Sequence, residues 1–447
     1  MKRSLVLAGG GMRVAWQTGV VRALTEHGLR FDHVDGTSGG IMTTGMLLSG
    51  LDPAEMGRRW SDLDVSDFSS PLPVRDYLRG PWSLPGLGNA DGVVNKVFPH
   101  LGIDCATIRE STALEGTFNV VDFVTKTCVA VPHTDVDEHL LAAGMSLPVV
   151  MPPLRRGNRV WTDAVWVKDA NVTEALRRGA DEVWLVWCIG NSPYWGDGPL
   201  EQYVHMIEMS ANGALFAELD AARVAGRRFT LHVVRPEHPL PLDTELYAGR
   251  VSTDTLMAMG YRDGWSYLEG ASPDGVAQDT TCTAMTEPPV GVRLTERLRG
   301  TVAGAHLDLT VTAVIALPDD SEPAPARVVG HVDHDPWGGR VPLADGRLVH
   351  EGDALVYRAR ARVGADWVDI EARRELADDD GLDAWADATT VEFSASSGES
   401  GRLRLGPLDA ARALASAEPV GAHGALDRAG ALTRLARTGL RRALATY

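Results

Sequence analysis

The sequence predicts an α/β fold, a mainly parallel sheet sandwiched by helices, followed by a second, antiparallel β-rich domain. Three observations carry this. Short β-like runs alternate with helical ones through the first 270 residues, the composition turns to Gly, Ser, Pro and Asp between Glu269 and Thr281, and from Val290 onward the hydrophobic period shortens to two. The 447 residues divide accordingly into an α/β domain over residues 1–275, a β-sandwich-like accessory domain over 283–400, and an Ala- and Arg-rich amphipathic helical tail over 407–447.

The elements follow in order. Ser4 to Ala8 reads as a strand, and after a run of glycines Trp16, Val20, Ala23 and Leu24 recur at helical spacing up to the stop at Gly28, giving a helix over Val14 to His27. Phe31 to Asp35 is a second strand and Ile41 to Leu48 a helix. Thr117 to Phe123 and Thr127 to Val131 pair around a short polar turn, and Val136 to Ala143 is helical. Glu174 to Arg178 is a helix closed by Gly179, and Glu182 to Cys188 is an apolar strand of the kind buried on both faces. Leu200 to Ala225, Phe229 to Val234 and Glu245 to Leu268 continue as helix, strand, helix. In the second half, Leu307 to Val311, Arg327 to Val332, Arg340 to Pro342, Leu355 to Ala359, Ala365 to Arg373 and Thr389 to Ser394 alternate between turns as in an antiparallel sandwich. In the tail, Leu432, Leu435, Leu440 and Leu444 share one helix face while Arg434, Arg437 and Arg441 fall on another. Such a helix either docks on its own protein or lies at a membrane interface, and it is the expected route of any peripheral membrane contact.

Composition narrows the function. With 44% apolar and 23% charged residues the chain is globular, which excludes a disordered scaffold, a collagen-like fibre and a coiled coil. The net charge of -17 repels nucleic acid, so no nucleic-acid partner is expected. Cys105, Cys128, Cys188 and Cys282 are too dispersed for a zinc pair or a disulfide framework, in keeping with reduced thiols and a cytoplasmic location. The apolar stretch after Met1-Lys2-Arg3 stops at three glycines, short of a secretion signal, and the uncharged run from Leu140 to Leu154 is broken by Pro148, Pro152 and Pro153, short of a membrane span.

The chemistry concentrates in two glycine-rich turns. Gly36-Thr37-Ser38-Gly39-Gly40 follows a strand and opens a helix, the context in which G-x-S-x-G forms a nucleophile elbow. Gly9-Gly10-Gly11-Met12-Arg13 follows the first strand, where bare backbone N–H groups can point at an anion. That turn lacks the G-x-G-x-x-G spacing, since position 14 is Val14, and no P-loop Lys-Ser/Thr follows. A nucleotide phosphate turn and a purely structural turn are its competing readings.

In order and spacing these motifs resemble the patatin-like phospholipases, which carry a G-G-G-x-R oxyanion motif, a G-x-S-x-G elbow and a later Asp-Gly-Gly or Asp-Gly-Ala. The similarity covers about residues 3 to 235. It extends to the small-residue and proline block at Ala143 to Pro148 and Pro152-Pro153, to Thr162-Asp163-Ala164-Val165, and to the stretch from Asn171 to Val183. Ala164 departs from the usual glycine, and Asp169 and Asn171 stand where Asn and Pro are common. The resemblance implies a lipid acyl hydrolase working on a lipid ester with no metal or organic cofactor. Ser38 is then the nucleophile, Asp163 its base, Gly9, Gly10 and Gly11 the oxyanion hole, and Gly36 and Gly40 the elbow glycines. Arg13 either binds an anionic headgroup of the substrate or ties down its loop. Asp163 could otherwise be an ordinary turn aspartate, Asp169 is a competing carboxylate, and His133 or His205 would serve a histidine-based variant. A lipid-binding or regulatory protein without turnover is the alternative function, motivated by Ala164 and the appended β domain.

Other candidates are weaker. His331-Val332-Asp333-His334-Asp335 has metal-ligand residue types but reads as a solvated loop, as does Asp378-Asp379-Asp380. Trp161, Trp166, Trp184, Trp187 and Trp195 suit core packing, with an acyl-pocket wall as the alternative. The second half is similar to a module at the front of some bacterial sterol-type glucose-methanol-choline oxidoreductases, through Thr283-Ala284-Met285, Val349 and Asp383 to Thr390, which implies an accessory β domain associated with lipid metabolism.

Overall fold

The computed structural model describes the backbone of residues 1–78, 80–317, 325–375 and 384–446. These fall into two compact units, Met1–Tyr247 with Asp263–Thr286, and Ala248–Arg262 with Glu287–Tyr447. The run Asp378-Asp379-Asp380 and the side chains of Leu440, Arg441 and Leu444 lie outside the described residues.

The first unit is built on the strands β1 (Arg3–Leu7), β2 (His33–Thr37), β3 (Glu115–Asp122), β4 (Thr127–Pro132), β5 (Leu154–Arg156), β6 (Arg159–Asp163), β7 (Glu182–Val186) and β8 (Thr230–Val234). They form one sheet in the order β5-β6-β3-β2-β1-β7-β8, with β4 also on β3. β1, β2, β3, β7 and β8 run parallel, and β1, β2 and β7 are buried along nearly their whole length, as expected of central strands with helices on both faces. Helices α1 (Ala15–Glu26) and α2 (Gly40–Leu48) follow β1 and β2. The helix expected over Glu245 to Leu268 is instead two, Asp243–Tyr247 and Thr253–Gly270, because Gly249 between them turns left-handed at φ 67°.

The hairpin of β5 and β6 was not visible in the sequence, and it matters most. β4 lies along one edge of β3 from Thr117 to Asp122. β2 pairs with β3 as far as Thr37 opposite Asn119, and β6 pairs with β3 from Asp122 to Val120, where Asp163 is the partner. Since β4 occupies one edge throughout, β2 and β6 share the other. They meet end to end, with Thr37 and Asp163 opposite consecutive residues of β3.

In the second unit the strands are β9 (Gly291–Val302), β10 (Ala305–Ala316), β11 (Ala326–His334), β12 (Gly339–Glu351), β13 (Ala354–Val363), β14 (Asp366–Glu375), β15 (Thr390–Ala395), β16 (Ser400–Arg404) and β17 (Glu418–Val420). Each of β9 to β16 pairs antiparallel with the next, and β16 returns to pair with β9. This corrects the sandwich expectation to a closed barrel. Alternation looks the same in both architectures, but closure leaves no exposed edge. Leu298, Leu309, Val332, Leu343, Ile370 and Phe393 belong to one large apolar cluster of this unit. His331 and His334 lie in β11 and are buried, so the expected solvated loop is a strand end.

The tail is not one helix. Pro407–Ala415 is helical, β17 pairs with β9, and a second helix spans Ala425–Thr446. Ala431 and Leu435 of that helix pack with Val292, Leu317 and Ile315, so its first turns dock on their own unit. Membrane contact through this helix therefore loses Leu435, one of the positions expected to provide it, while Leu432 stays exposed. Among the described residues no helix is long and apolar enough to cross a membrane.

Within the barrel unit, Glu296 is buried and receives Arg374 Nη2 at 2.9 Å, Arg374 Nη1 at 3.3 Å and the Tyr357 hydroxyl at 2.8 Å. Removing one partner strands the other as an unpaired buried charge. Arg374→Met should cost about 3 kcal/mol in urea denaturation, and the double variant Glu296→Gln, Arg374→Met should recover at least about half of that. A single variant as stable as wild type would show that the pair is dispensable.

Candidate active site

Ser38 occupies the turn between β2 and α2 with φ 51°, a left-handed conformation that a residue with a Cβ adopts at a cost. The neighbouring glycines make that turn possible. A methyl group at Gly40 would lie 2.3 Å from the Leu7 carbonyl oxygen, and one at Gly36 would lie 2.3 Å from Thr44 Oγ1. Ser38 is 8% exposed, and its Oγ donates to Asp163 Oδ2 at 2.7 Å, while Asp163 Oδ1 accepts the Val165 N–H at 2.9 Å. Burial raises the Asp163 carboxyl to about 7, against the lowering effect of the Ser38 and backbone hydrogen bonds. The start of α2 adds a field that favours negative charge beside the serine.

The Gly9 to Arg13 turn sits against this elbow. A methyl group on Gly39 would lie 2.3 Å from the Gly11 carbonyl oxygen and 3.1 Å from its nitrogen, and one on Gly9 would lie 2.9 Å from Ser38 Cβ. Gly11 is left-handed, at φ 60°. Side chains distant in sequence hold the loop. Gln17 Nε2 donates to the Ala8 carbonyl at 2.7 Å, the Cys188 thiol to the Gly9 carbonyl at 2.9 Å, and Asp243 Oδ2 accepts the Met12 N–H at 3.2 Å.

Two expectations change here. The Gly9 N–H donates to Asp169 Oδ1 at 2.8 Å, so it is engaged within the protein, which leaves Gly10 and Gly11 as the oxyanion candidates. Arg13 is only 9% exposed and its Nε donates to the Gly10 carbonyl at 3.1 Å. Its geometry is that of a loop anchor, and the headgroup reading has no exposed guanidinium to rest on.

A buried polar column that sequence reasoning missed runs along β2 beneath the elbow. Ser4 Oγ meets His33 Nδ1 at 2.7 Å and His33 Nε2 meets Thr117 Oγ1 at 2.9 Å. Thr117 Oγ1 donates to Asp35 at 2.5 Å, and Asn119 Nδ2 donates to Asp35 at 2.6 Å and to Thr37 Oγ1 at 2.9 Å. Asn171 Nδ2 in turn donates to Asn119 Oδ1 at 2.7 Å. Burial pushes Asp35 up to about 7 and His33 down to about 3. The available signal was a histidine and an aspartate two residues apart in a strand buried on both faces, where unpaired charge is costly.

The other sequence candidates separate from Ser38. His133 bonds to the backbone of Gly116 and Ser111, and His205 to the Gly196 N–H and Glu208. Asp169 meets Gly9, whereas the carboxylate on Ser38 Oγ is Asp163. Ala164 is buried and is not among the described non-glycine residues with positive φ, so a methyl in the usual glycine position strains no backbone. Trp184 and Trp187 are core residues, while Trp195 is exposed and stacks on His205. Among the described residues no group of three or more His, Cys, Asp or Glu side chains could hold a metal ion.

Residues 5–176 match the family model described as patatin-like phospholipase, so the N-terminal region carries a patatin-like phospholipase domain. The chain is also similar to two proteins named lysophospholipase NTE1. That of Lodderomyces elongisporus is 22% identical over 293 residues, 58% of this chain and 19% of that protein. That of Scheffersomyces stipitis is 24% identical over 189 residues, 39% of this chain and 11% of that protein. The chain thus matches less than a fifth of the length of these relatives.

Asp35 offers a test of the buried column. Its carboxyl titrates at about 7 in the fold against an ordinary value of 3.8, so its contribution to stability is fullest at low pH and falls as pH rises through that interval. Asparagine carries no charge to bury. Asp35→Asn should therefore gain on wild type between about pH 5 and about pH 7, by up to about 1.4 kcal/mol per pH unit in urea denaturation. A pH-independent gap would mean that Asp35 is ionised in the fold.

Proposed function

We propose that the chain is a lipid acyl hydrolase that cleaves carboxylic esters of phospholipids or related glycerolipids, with a lysophospholipid as the first substrate to test. The observation that carries this reading is the 2.7 Å bond from Ser38, in a strained elbow, to the buried Asp163. The patatin-like domain supports the reaction class, and the relatives named lysophospholipases support the substrate class.

In this reaction Ser38 Oγ attacks the ester carbonyl carbon as its proton passes to Asp163 Oδ2. The tetrahedral oxyanion faces the N–H groups of Gly10 and Gly11. The alcohol leaves with the proton from Asp163, and a water activated by the same carboxylate releases the fatty acid. A carboxylate at its usual pKa of about 3.9 is a weak base for a serine. Raised to about 7 by burial, Asp163 is better matched to the task.

The surroundings of Asp163 suit an apolar substrate. The Asp163 N–H and the Thr162 hydroxyl both donate to the Ser146 carbonyl, and the Tyr203 hydroxyl donates to that of Pro148. The segments concerned carry the exposed side chains Val149, Val150, Met206 and Met209. These would meet a lipid surface.

Two outcomes are expected in fatty-acid release from lysophospholipid. Ser38→Ala should lose at least about a thousandfold in kcat, and Asp163→Asn should fall comparably. Since Asp163 must be ionised to act, wild-type kcat/KM should rise with pH through about 7. Full activity in Ser38→Ala would end this reading, and activity independent of pH between about 5 and about 8 would remove Asp163 as the base.

A further inference from the structure

Asp169 is a second buried carboxylate in the site, and the reaction above makes no use of it. Its Oδ1 accepts the Gly9 N–H at 2.8 Å, whereas Oδ2 is sealed from solvent and has no hydrogen-bond partner. Gly9 is wedged between this carboxyl and the serine. A methyl there would lie 2.5 Å from Asp169 Oδ1, 2.9 Å from Ser38 Cβ and 3.4 Å from Ser38 Oγ. Asp163 and Arg13 are the charged groups that act on Asp169; Asp169 and Asp243 both act on the neighbouring Cys188 thiol, and Arg13 also acts on Asp243.

We propose that Asp169 is a positioning residue: by holding the Gly9 N–H it sets the Gly9 to Gly11 loop at the distance from Ser38 that the developing oxyanion requires. This rests on the hydrolase reading of the same site. The contact is short-range and dry, so a small displacement of the loop reaches the oxyanion donors directly.

The protonation state follows from the geometry. An oxygen without solvent or donor carries negative charge poorly, and a proton on Oδ2 leaves Oδ1 free to accept from Gly9. Burial raises this carboxyl to about 8, with the Asp163 charge adding to the rise and the Gly9 bond and Arg13 opposing it. Above that pH Asp169 becomes an anion beside Asp163 and beside the charge that forms on the substrate. Turnover should therefore decline on the alkaline side through Asp169, separately from the acid side set by Asp163. Asparagine keeps an acceptor for Gly9 and cannot ionise.

The test compares the full chain with Asp169→Ala, Asp169→Asn and Ser38→Ala in p-nitrophenyl butyrate hydrolysis across about pH 6 to about pH 9.5, together with hydrogen exchange of the peptide containing the Gly9 amide. Asp169→Ala should lower kcat at least about tenfold while KM changes less than about threefold, and its Gly9 amide should exchange faster. Asp169→Asn should restore both kcat and protection and should lack the alkaline decline. Wild-type kcat and protection in Asp169→Ala would overturn the proposal, as would an alkaline decline unchanged in Asp169→Asn. If wild-type hydrolysis is indifferent to Ser38→Ala, the hydrolase reading fails on its own, and Gly9 exchange still decides the anchoring role.

Discussion

Two strands compete for one edge of β3, and the geometry of the site depends on how they divide it. β2 occupies the edge as far as Asn119 and β6 begins at Val120, so the residue that follows β2 and the residue that ends β6 are brought together by backbone pairing rather than by side-chain packing. β4 fills the opposite edge and leaves β6 no other place on this strand. A slip of one residue in β6 would turn Asp163 to the other face of the sheet, so the Ser38 contact is a property of register. The hairpin pairing of Leu154 to Arg156 with Arg159 to Trp161 and the bond from the Asp163 N–H to the Ser146 carbonyl both hold that register.

Asp35, Asp163 and Asp169 are all buried carboxylates, and their partners set them apart. Asp35 takes two side-chain donors, Asp163 takes the serine and a backbone N–H, and Asp169 takes a single backbone N–H. Desolvation is the largest effect on each and favours the neutral acid. The same burial that makes an aspartate expensive to ionise makes it a stronger base once ionised. In the proposed reaction this is how a carboxylate would take the role a histidine fills elsewhere, while His133 and His205 are committed to backbone and carboxylate partners.

Legibility in the sequence followed the range of the interactions. The two glycine turns were readable because their demands are local: a left-handed serine, a helix start and a close chain crossing all act within a few residues. The alternation of strands and helices was readable for the same reason. Asp163 was readable only through resemblance, since β5 is three residues long and two of them are charged, which hides the hairpin that delivers it. Gln17, Asn119, Asp169 and Cys188 act on groups 9 to 179 residues away along the chain, and nothing local marks them. The barrel was misread as a sandwich on this principle too, because closure rests on β16 meeting β9, a pairing about which alternation within either strand is silent.

Two of the three departures from the patatin-like pattern, Ala164 and Asp169, are tolerated for opposite reasons. At Ala164 the backbone avoids the left-handed region, so the added methyl asks only for space, and its burial beside Val165 shows that space is present. At Asp169 the shape of an amide is nearly kept but its chemistry is not: one oxygen accepts from Gly9 as an asparagine oxygen could, while the other has no donor to receive. A residue in that position is either protonated or costly. The first departure is therefore steric and ends at the fold, whereas the second is electrostatic and, in the proposed reaction, would reach the chemistry, because the burial that penalises charge on Asp169 lies beside the Ser38 and Asp163 pair that would exchange a proton.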